Sequence, residues 1–307
     1  MIIGNGGIIM TMQTAMISQL FLNSLIAGSI YALIAIGFAI IYKTVKFFHF
    51  AHGVVYATGA YVAYAFFQIH RFDFISSFIL AVISSGILGV GIYQFVYHTL
   101  QVKKAPNLIY LLASFGLFIF IENLIALIYG NQILFMRPIQ ENSSYSFFGA
   151  AITLTQIIII IVSIVSLVAI WTFIEKTKLG LALRAVADDP QTAQLVGINS
   201  VRLTQVAFFI GSMLAAVAGI LISLETNLSP TMGFTAIFKA IIASIIGGIG
   251  SIPGAVFGGY FLGFVENFGI LFIPAIWQDF ISFALLIVFL ILKPSGFFGI
   301  IPEKELI

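Results

Sequence analysis

The chain has 307 residues, 61% of them hydrophobic and only 8% charged, with a formal net charge of +2. A soluble domain carries roughly 45–50% apolar and about 25% charged residues, so this composition excludes a fold solvated by water alone and requires lipid as a second solvent. The scattered Lys and Arg form no basic stripe, which excludes nucleic acid as a partner, and the absence of cysteine excludes disulfides, thiolate chemistry and cysteine metal sites.

A helix of about 20 apolar residues crosses the ~30 Å hydrocarbon layer. Uncharged runs of that length cover residues 1–42, 74–102, 142–174 and 203–224. Residues 1–12 have no positive n-region and no small-residue cleavage pattern, so the first stretch reads as a retained helix rather than a signal peptide. Polar and turn-forming breaks place hydrophobic segments at 17–42, 50–69, 74–97, 107–129, 151–174, 203–224, 234–249, 253–273 and 276–292. The expected fold is all-α: a polytopic transmembrane helix bundle of eight or nine segments, forming one integral membrane domain over 1–307. The short, Gly-terminated seventh segment is a candidate re-entrant piece. No tandem repeat of 20–50 residues is present.

Cations orient the chain. With loop 175–202 in the cytoplasm, Lys43, Lys46, Lys103, Lys104, Lys176, Lys178, Arg184, Arg202, Lys293 and Lys304 all lie inside. Arg71 and Arg137 fall outside, and Lys239 sits within a segment. The positive-inside rule therefore predicts an external N-terminus and a cytoplasmic C-terminus.

Small residues punctuate the first segment (Gly28, Ala32, Ala35, Gly37) and the sixth (Gly211, Ala215, Ala216, Ala218, Gly219). They suit close helix packing in lipid, or a surface that slides during a transport cycle. Two stretches are candidates for the translocation pathway. One holds His49 and His52, which are three residues apart and expected to share a helix face, followed by Gly53 and Gly59. Two histidines without carboxylates are too few for a metal site. The other is Gly247, Gly248, Gly250, Ser251, Pro253, Gly254, Gly258 and Gly259, a density of breakers that predicts non-helical backbone through 247–259. It reads as a cytoplasmic turn or as a broken-helix element beside the path.

Glu122, Lys239 and Glu266 are ionisable residues inside hydrophobic segments, where charge is costly and faces a partner or a cavity. Lys239 and Glu266 flank the Gly-rich stretch at similar depth and are expected to pair; the alternative is that each reaches the interface separately. In loop 175–202, a helical piece runs to Ala187. Asp188-Asp189-Pro190 then reads as a new helix start, and Gly197 closes it. Two short helices here form either a plain surface loop or a docking element for a cytosolic partner. The chain has no Gly-x-x-x-x-Gly-Lys-Ser/Thr to cradle nucleotide phosphates and no catalytic constellation, so energy comes from a partner or an ion gradient.

Three motifs now carry a resemblance. They are Gly180-Leu-Ala-Leu-Arg184-Ala-Val-Ala-Asp188-Asp189-Pro-Gln-Thr-Ala-Gln-Leu-Val-Gly197, the stretch 247–259, and Tyr31 to Gly37 through Phe50-Ala51-His52-Gly53. In this order they resemble the LivH/LivM permeases of branched-chain amino acid ABC importers, the LivH type most closely, over almost the whole chain. The resemblance implies a heterodimeric pore with a second, LivM-like permease, two cytosolic ATP-binding subunits, and a periplasmic or lipid-anchored binding protein that delivers leucine, isoleucine or valine. It implies a bacterial cytoplasmic membrane and no cofactor on this chain. It further implies that Gly180, Arg184, Ala185, Asp188, Asp189 and Gly197 form the ATPase-coupling loop. His49 stands where the family pattern has Asn, and Leu181 where it often has a basic residue. Relatives carry urea, short amides or other amino acids, so the substrate stays open. The rivals are an ion-coupled secondary transporter, which wants midplane acids such as Glu122 and Glu266, a passive channel, and a membrane-embedded enzyme.

Overall fold

The computed structural model describes residues 5–137, 144–147 and 149–299. Lys304, one of the cations expected inside, lies outside the described residues. Twelve α-helices follow in chain order: α1 (Asn5–Val45), α2 (His52–Tyr64), α3 (Phe74–Ile92), α4 (His98–Val102), α5 (Asn107–Tyr129), α6 (Leu154–Lys176), α7 (Lys178–Asp188), α8 (Pro190–Leu195), α9 (Ser200–Glu225), α10 (Met232–Gly247), α11 (Ile252–Gly269) and α12 (Gln278–Leu292). A π-helical turn, Ala65–Ile69, extends α2, and another, Tyr93–Tyr97, joins α3 to α4 without a break. Two short antiparallel strands, β1 (Tyr145–Phe147) and β2 (Ala150–Ile152), precede α6. They were not expected: the sequence places the start of a segment at 151, whereas the Thr153–Gln156 capping box starts α6 only after the hairpin.

Among the described residues, six helices are long and apolar enough to cross a bilayer, and α10 with α11, bent by 116° across residues 248–251, makes a seventh if counted as one span. The fold is thus an all-α polytopic membrane bundle. Contacts at the helix ends define its two sides. Lys43, at the end of α1, meets Asp188 at the end of α7. The Phe297 and Phe298 amides, beyond α12, donate to the Ile246 and Gly247 carbonyls at the end of α10. Gln94, late in the third segment, accepts from Gln205 near the start of α9. This is the basic end. At the far end, Gln19 bonds the Ala151 backbone, Gln156 donates to Glu225, and Leu134 and Leu228 exchange backbone hydrogen bonds.

The core is α1, α2, α9, α10 and α11, held by backbone proximity more than by side-chain bulk. Lipid tails are as apolar as leucine, so helix association in a membrane depends on close packing. A Cβ on Gly37 or on Gly211 would lie 2.7 Å from the other's carbonyl oxygen, so α1 and α9 touch through their backbones. Gly53 and Gly233 do the same for α2 and α10, and Gly59 abuts Ala216. Of the small residues in the first and sixth segments, Gly37 and Gly211 face each other, while Gly28 and Ala32 pack against α11 and Ala216 and Gly219 against α2.

Two local expectations are corrected. The backbone is non-helical only over 248–251, with Gly248 and Gly250 at positive φ, and Ser251 caps α11 by accepting the Gly254 amide. Pro253 sits in the first turn, where its missing N–H is no loss. Gly254, Gly258 and Gly259 continue the helix, their missing side chains admitting the Gly247, Ala243 and Ala32 backbones. His49 is not on a helix with His52, because α2 begins at His52. The preceding turn still brings their rings to 6.0 Å.

Candidate functional site

The basic end carries a compact knob made by α7 and α8. Thr177 ends α6 and caps α7 by accepting the Gly180 amide at 3.0 Å. Gly180 is buried, and a methyl group there would overlap the Phe173 and Ile174 carbonyls, so this glycine sets a tight elbow between α6 and α7. Asp189 caps α8 by accepting the Gln191 and Thr192 amides at 2.8 and 3.2 Å. The Thr192 hydroxyl, followed by these amides, holds the Asp189 carboxyl below the usual carboxylate range. Gly197 adopts φ +83°, a left-handed turn that lets the Ile198 amide reach the Ala193 carbonyl and close the helix.

The knob is tied to the bundle on several sides. Leu183, Val186 and Ala187 are buried beneath α7. Arg184 donates to Glu175 at 2.9 Å, Lys43 lies 3.4 Å from Asp188, and the Ser200 hydroxyl donates to the Pro190 carbonyl. These contacts join α7 to α6 and α1, and α8 to α9. The sequence named Gly180, Arg184, Ala185, Asp188, Asp189 and Gly197 here and noted Leu181 as a departure from the family pattern, but did not single out Leu195 and Val196. Leu181, Leu195 and Val196 are 61%, 87% and 72% exposed on an element outside the spans. The only signal for them in the sequence was amphipathic patterning with no apolar face left over for lipid.

Beneath the knob lies a cavity of about 360 Å³, lined in part by Lys43, Lys46, Arg184, Glu175, Gly250 and Ser251. It lies between α7 and the 248–251 turn. Burial, with the neighbouring Lys43 charge, lowers the Lys46 ammonium below its ordinary range.

Inside the bundle, His49 and His52 are fully buried at the α2 entrance. His49 Nδ1 lies 2.9 Å from the Tyr97 hydroxyl, and His52 Nε2 lies 3.2 Å from the Ile34 carbonyl. The other ring nitrogens, His49 Nε2 and His52 Nδ1, have no protein partner among the described residues. No group of three or more His, Cys, Asp or Glu that could hold a metal occurs among the described residues; the two histidines link the start of α2 to the Tyr97 turn and to α1. Gly53 and Gly59 lie on α2, buried against α10 and α9.

Nearer the far end, the structure brings Lys239 and Glu266 together. Lys239 Nζ donates to Glu266, to the Ser282 hydroxyl at 2.8 Å, and pairs with Asp279 at 2.9 Å. Ser282 and Tyr31 donate to the same Glu266 carboxylate, Tyr31 at 2.8 Å. One ionic knot thus ties α1, α10, α11 and α12. Asp279 and Ser282 were not singled out from sequence, and Tyr31 only as the start of a motif, because their spacing from Lys239 carries no local signal. Lys239 also closes one side of a cavity of about 260 Å³ lined by Ile30, Ile34, Tyr56, Ile222, Met232 and neighbouring residues. Glu122, the third intramembrane charge, lies on α5 away from this knot.

Comparisons with known proteins agree with one another. A family model described as "Branched-chain amino acid transport system / permease component" matches residues 20–290. The high-affinity branched-chain amino acid transport system permease protein LivH of Salmonella typhimurium is 35% identical over 302 residues, covering 94% of this chain and 97% of its own. LivH of Escherichia coli is 35% identical over 303 residues with the same coverage. BraD of Pseudomonas aeruginosa is 34% identical over 300 residues, again covering 94% and 97%. A distant likeness links the chain to the solved structure "PsaBC from Streptococcus pneumoniae in complex with Fab", at 14% identity and a TM-score of 0.47 over 93% of this chain and 92% of that one.

Proposed function

This chain belongs to the branched-chain amino acid transport permease family, as a permease component of an ABC transport system and not itself an ATPase, and we propose that it imports leucine, isoleucine or valine into the cytoplasm. Partner ATPases and a binding protein follow in general from the family; the specific set proposed is two cytosolic ATP-binding subunits, a second LivM-like permease and a periplasmic or lipid-anchored binding protein. The chain sits in the bacterial inner membrane with the basic end in the cytoplasm, in line with the positive-inside rule.

The observation that carries this reading is the knob at the basic end. Two capped short helices, held rigidly to α1 and α6, present Leu181, Leu195 and Val196 to water. A passive channel or an ion-coupled carrier has no use for an exposed apolar knob braced against its core. In an importer, that surface fills a cleft of an ATPase subunit. ATP binding closes the ATPase pair, and the knob moves with it. The Gly180 elbow passes the motion to α6 and the Lys43–Asp188 contact passes it to α1, shifting the bundle between two access states. Arg184, Asp188, Asp189 and Gly197 belong to this surface or its caps, while Gly180 and Ala185 shape it from within. The far-end cavity offers an aliphatic wall from Ile30, Ile34, Ile222 and Met232 with Tyr56 and Lys239 as polar points, a chemistry suited to a small zwitterion with a branched apolar side chain.

The test is co-purification in mild detergent from the native host. Two ATPase subunits and a second permease, with ATP hydrolysis stimulated by a leucine-loaded binding protein, are expected. A chain that purifies without any ATPase refutes the importer assignment, and stimulation only by urea or an amide refutes the substrate class.

A further inference from the structure

Glu122 has no ion-pair or hydrogen-bond partner among the described residues. It lies on α5, seven residues before Tyr129, about 10 Å from the helix's far end at 1.5 Å rise per residue. The α5 stripe turned to the bundle is Tyr110, Ser114, Phe118, Ile121 and Ile125. Glu122 sits at the edge of that stripe, and Asn123 beside it is exposed. Ile119 on the same flank is 47% exposed, and Gly116, one turn further, has no atom of this chain within 4 Å of where its Cβ would be. A carboxylate, an amide and a glycine on the outward flank of a membrane helix are poorly matched to acyl chains. An uncompensated charge at this depth faces protein or a watery cavity, and a glycine on the same flank lets another backbone come close.

We propose that the Gly116–Ile119–Glu122–Asn123 flank of α5 is the surface against which a second, non-identical membrane subunit packs, and that this subunit supplies a basic or hydrogen-bond-donating side chain to Glu122. The proposal rests on the importer reading and names where its second permease sits. Charge decides the kind of partner. A second copy of this chain, related by a two-fold axis along α5, would set Glu122 against its own twin. Lys239, the intramembrane cation among the described residues, is already committed to Glu266 and Asp279. The partner is therefore a different chain with complementary charge at that depth, which also gives the pair its specificity.

The chain has no cysteine, so one introduced cysteine is its sole thiol. In membranes holding the complete importer, Asn123→Cys and Ile119→Cys are each labelled with a thiol-directed photo-crosslinker. Phe95→Cys, at a position 80% exposed on another face, serves as the control. Both α5 positions are expected to crosslink to a second polytopic permease identified by mass spectrometry, at least tenfold above the control. Glu122→Lys should lower the yield of that permease with the tagged chain at least tenfold, and Glu122→Gln should retain it. Adducts with lipid alone, or dimers of this chain alone, overturn the proposal, as does undiminished recovery of the partner with Glu122→Lys. If the wild-type chain recovers the ATPases and a second permease but the α5 labels miss that permease, only the interface is wrong. If the wild type recovers no second permease, the importer reading beneath it fails.

Discussion

Replacing Lys239 with methionine should destabilise the folded chain by about 3–5 kcal/mol, the usual cost of breaking a buried ion pair from one side. The methionine fills similar volume, so the loss is electrostatic. Glu266 is only 2% exposed and would be left without its cation, with only the Tyr31 and Ser282 hydroxyls for partners. Asp279 adds little, because its side chain is 64% exposed and an exposed pair contributes roughly 0–1 kcal/mol. Removing both charges, Lys239→Met with Glu266→Gln, should recover most of the loss, since buried pairs are often replaced by neutral groups at small cost. The interaction energy of the cycle should then be about 2–3 kcal/mol. The assay is unfolding in mixed micelles titrated with sodium dodecyl sulfate, read by tryptophan fluorescence, with Trp277 lying just ahead of α12. If the double variant equals the sum of the singles to within about 0.5 kcal/mol, the knot is not a coupled unit and the reasoning is wrong.

Other consequences follow from the same geometry. Leu195→Glu with Val196→Glu should leave the chain in the membrane while abolishing recovery of the ATPases and uptake; full uptake would remove the docking role. Arg184→Glu should also abolish uptake, because it sets a second carboxylate 9 positions along the chain from Glu175 in place of their hydrogen bond. Gly59→Leu pushes α2 off Ala216 of α9, and overpacking of about 1–3 kcal/mol or more should appear as lowered thermal stability in detergent. Asp189 is depressed in the folded state, so its cap on α8 is complete above the ordinary carboxylate value of about 3.9 and is lost only as pH falls through its lowered value. Uptake should therefore show no pH step from this group between pH 5 and 8; Asp189→Asn, an equivalent cap, should transport normally, and Asp189→Leu should lose coupling.

Much of the site was legible because its signals are local. Asp189-Pro190 and Gly197 bound α8 through capping and a left-handed turn, interactions within a few residues. The membrane character and the segment positions follow from apolar runs, and span limits such as 107–129 coincide with α5. Other features depend on residues far apart in the chain. The breakers at 253–259 predicted irregular backbone, yet Pro253 fits the first turn of α11, and the glycines there serve approach by α10 and α1. His49 and His52 meet through a turn rather than a shared helix face. Glycine allows both a bend and a close contact, and the sequence does not distinguish them.

Composition, hydrophobic runs and the distribution of cations were sufficient to determine that this protein spans lipid, that its knob is helical, and which end is basic, because lipid solvation and capping act residue by residue. Only the tertiary structure decided that Tyr31, Lys239, Glu266, Asp279 and Ser282 form one knot, that Leu181, Leu195 and Val196 are left facing water, and that Glu122 has no partner among the described residues. The knot joins helices between 16 and 235 residues apart in the chain, and where such helices cross in a membrane is set by the mutual fit of small residues such as Gly37 and Gly211, which neither residue specifies alone.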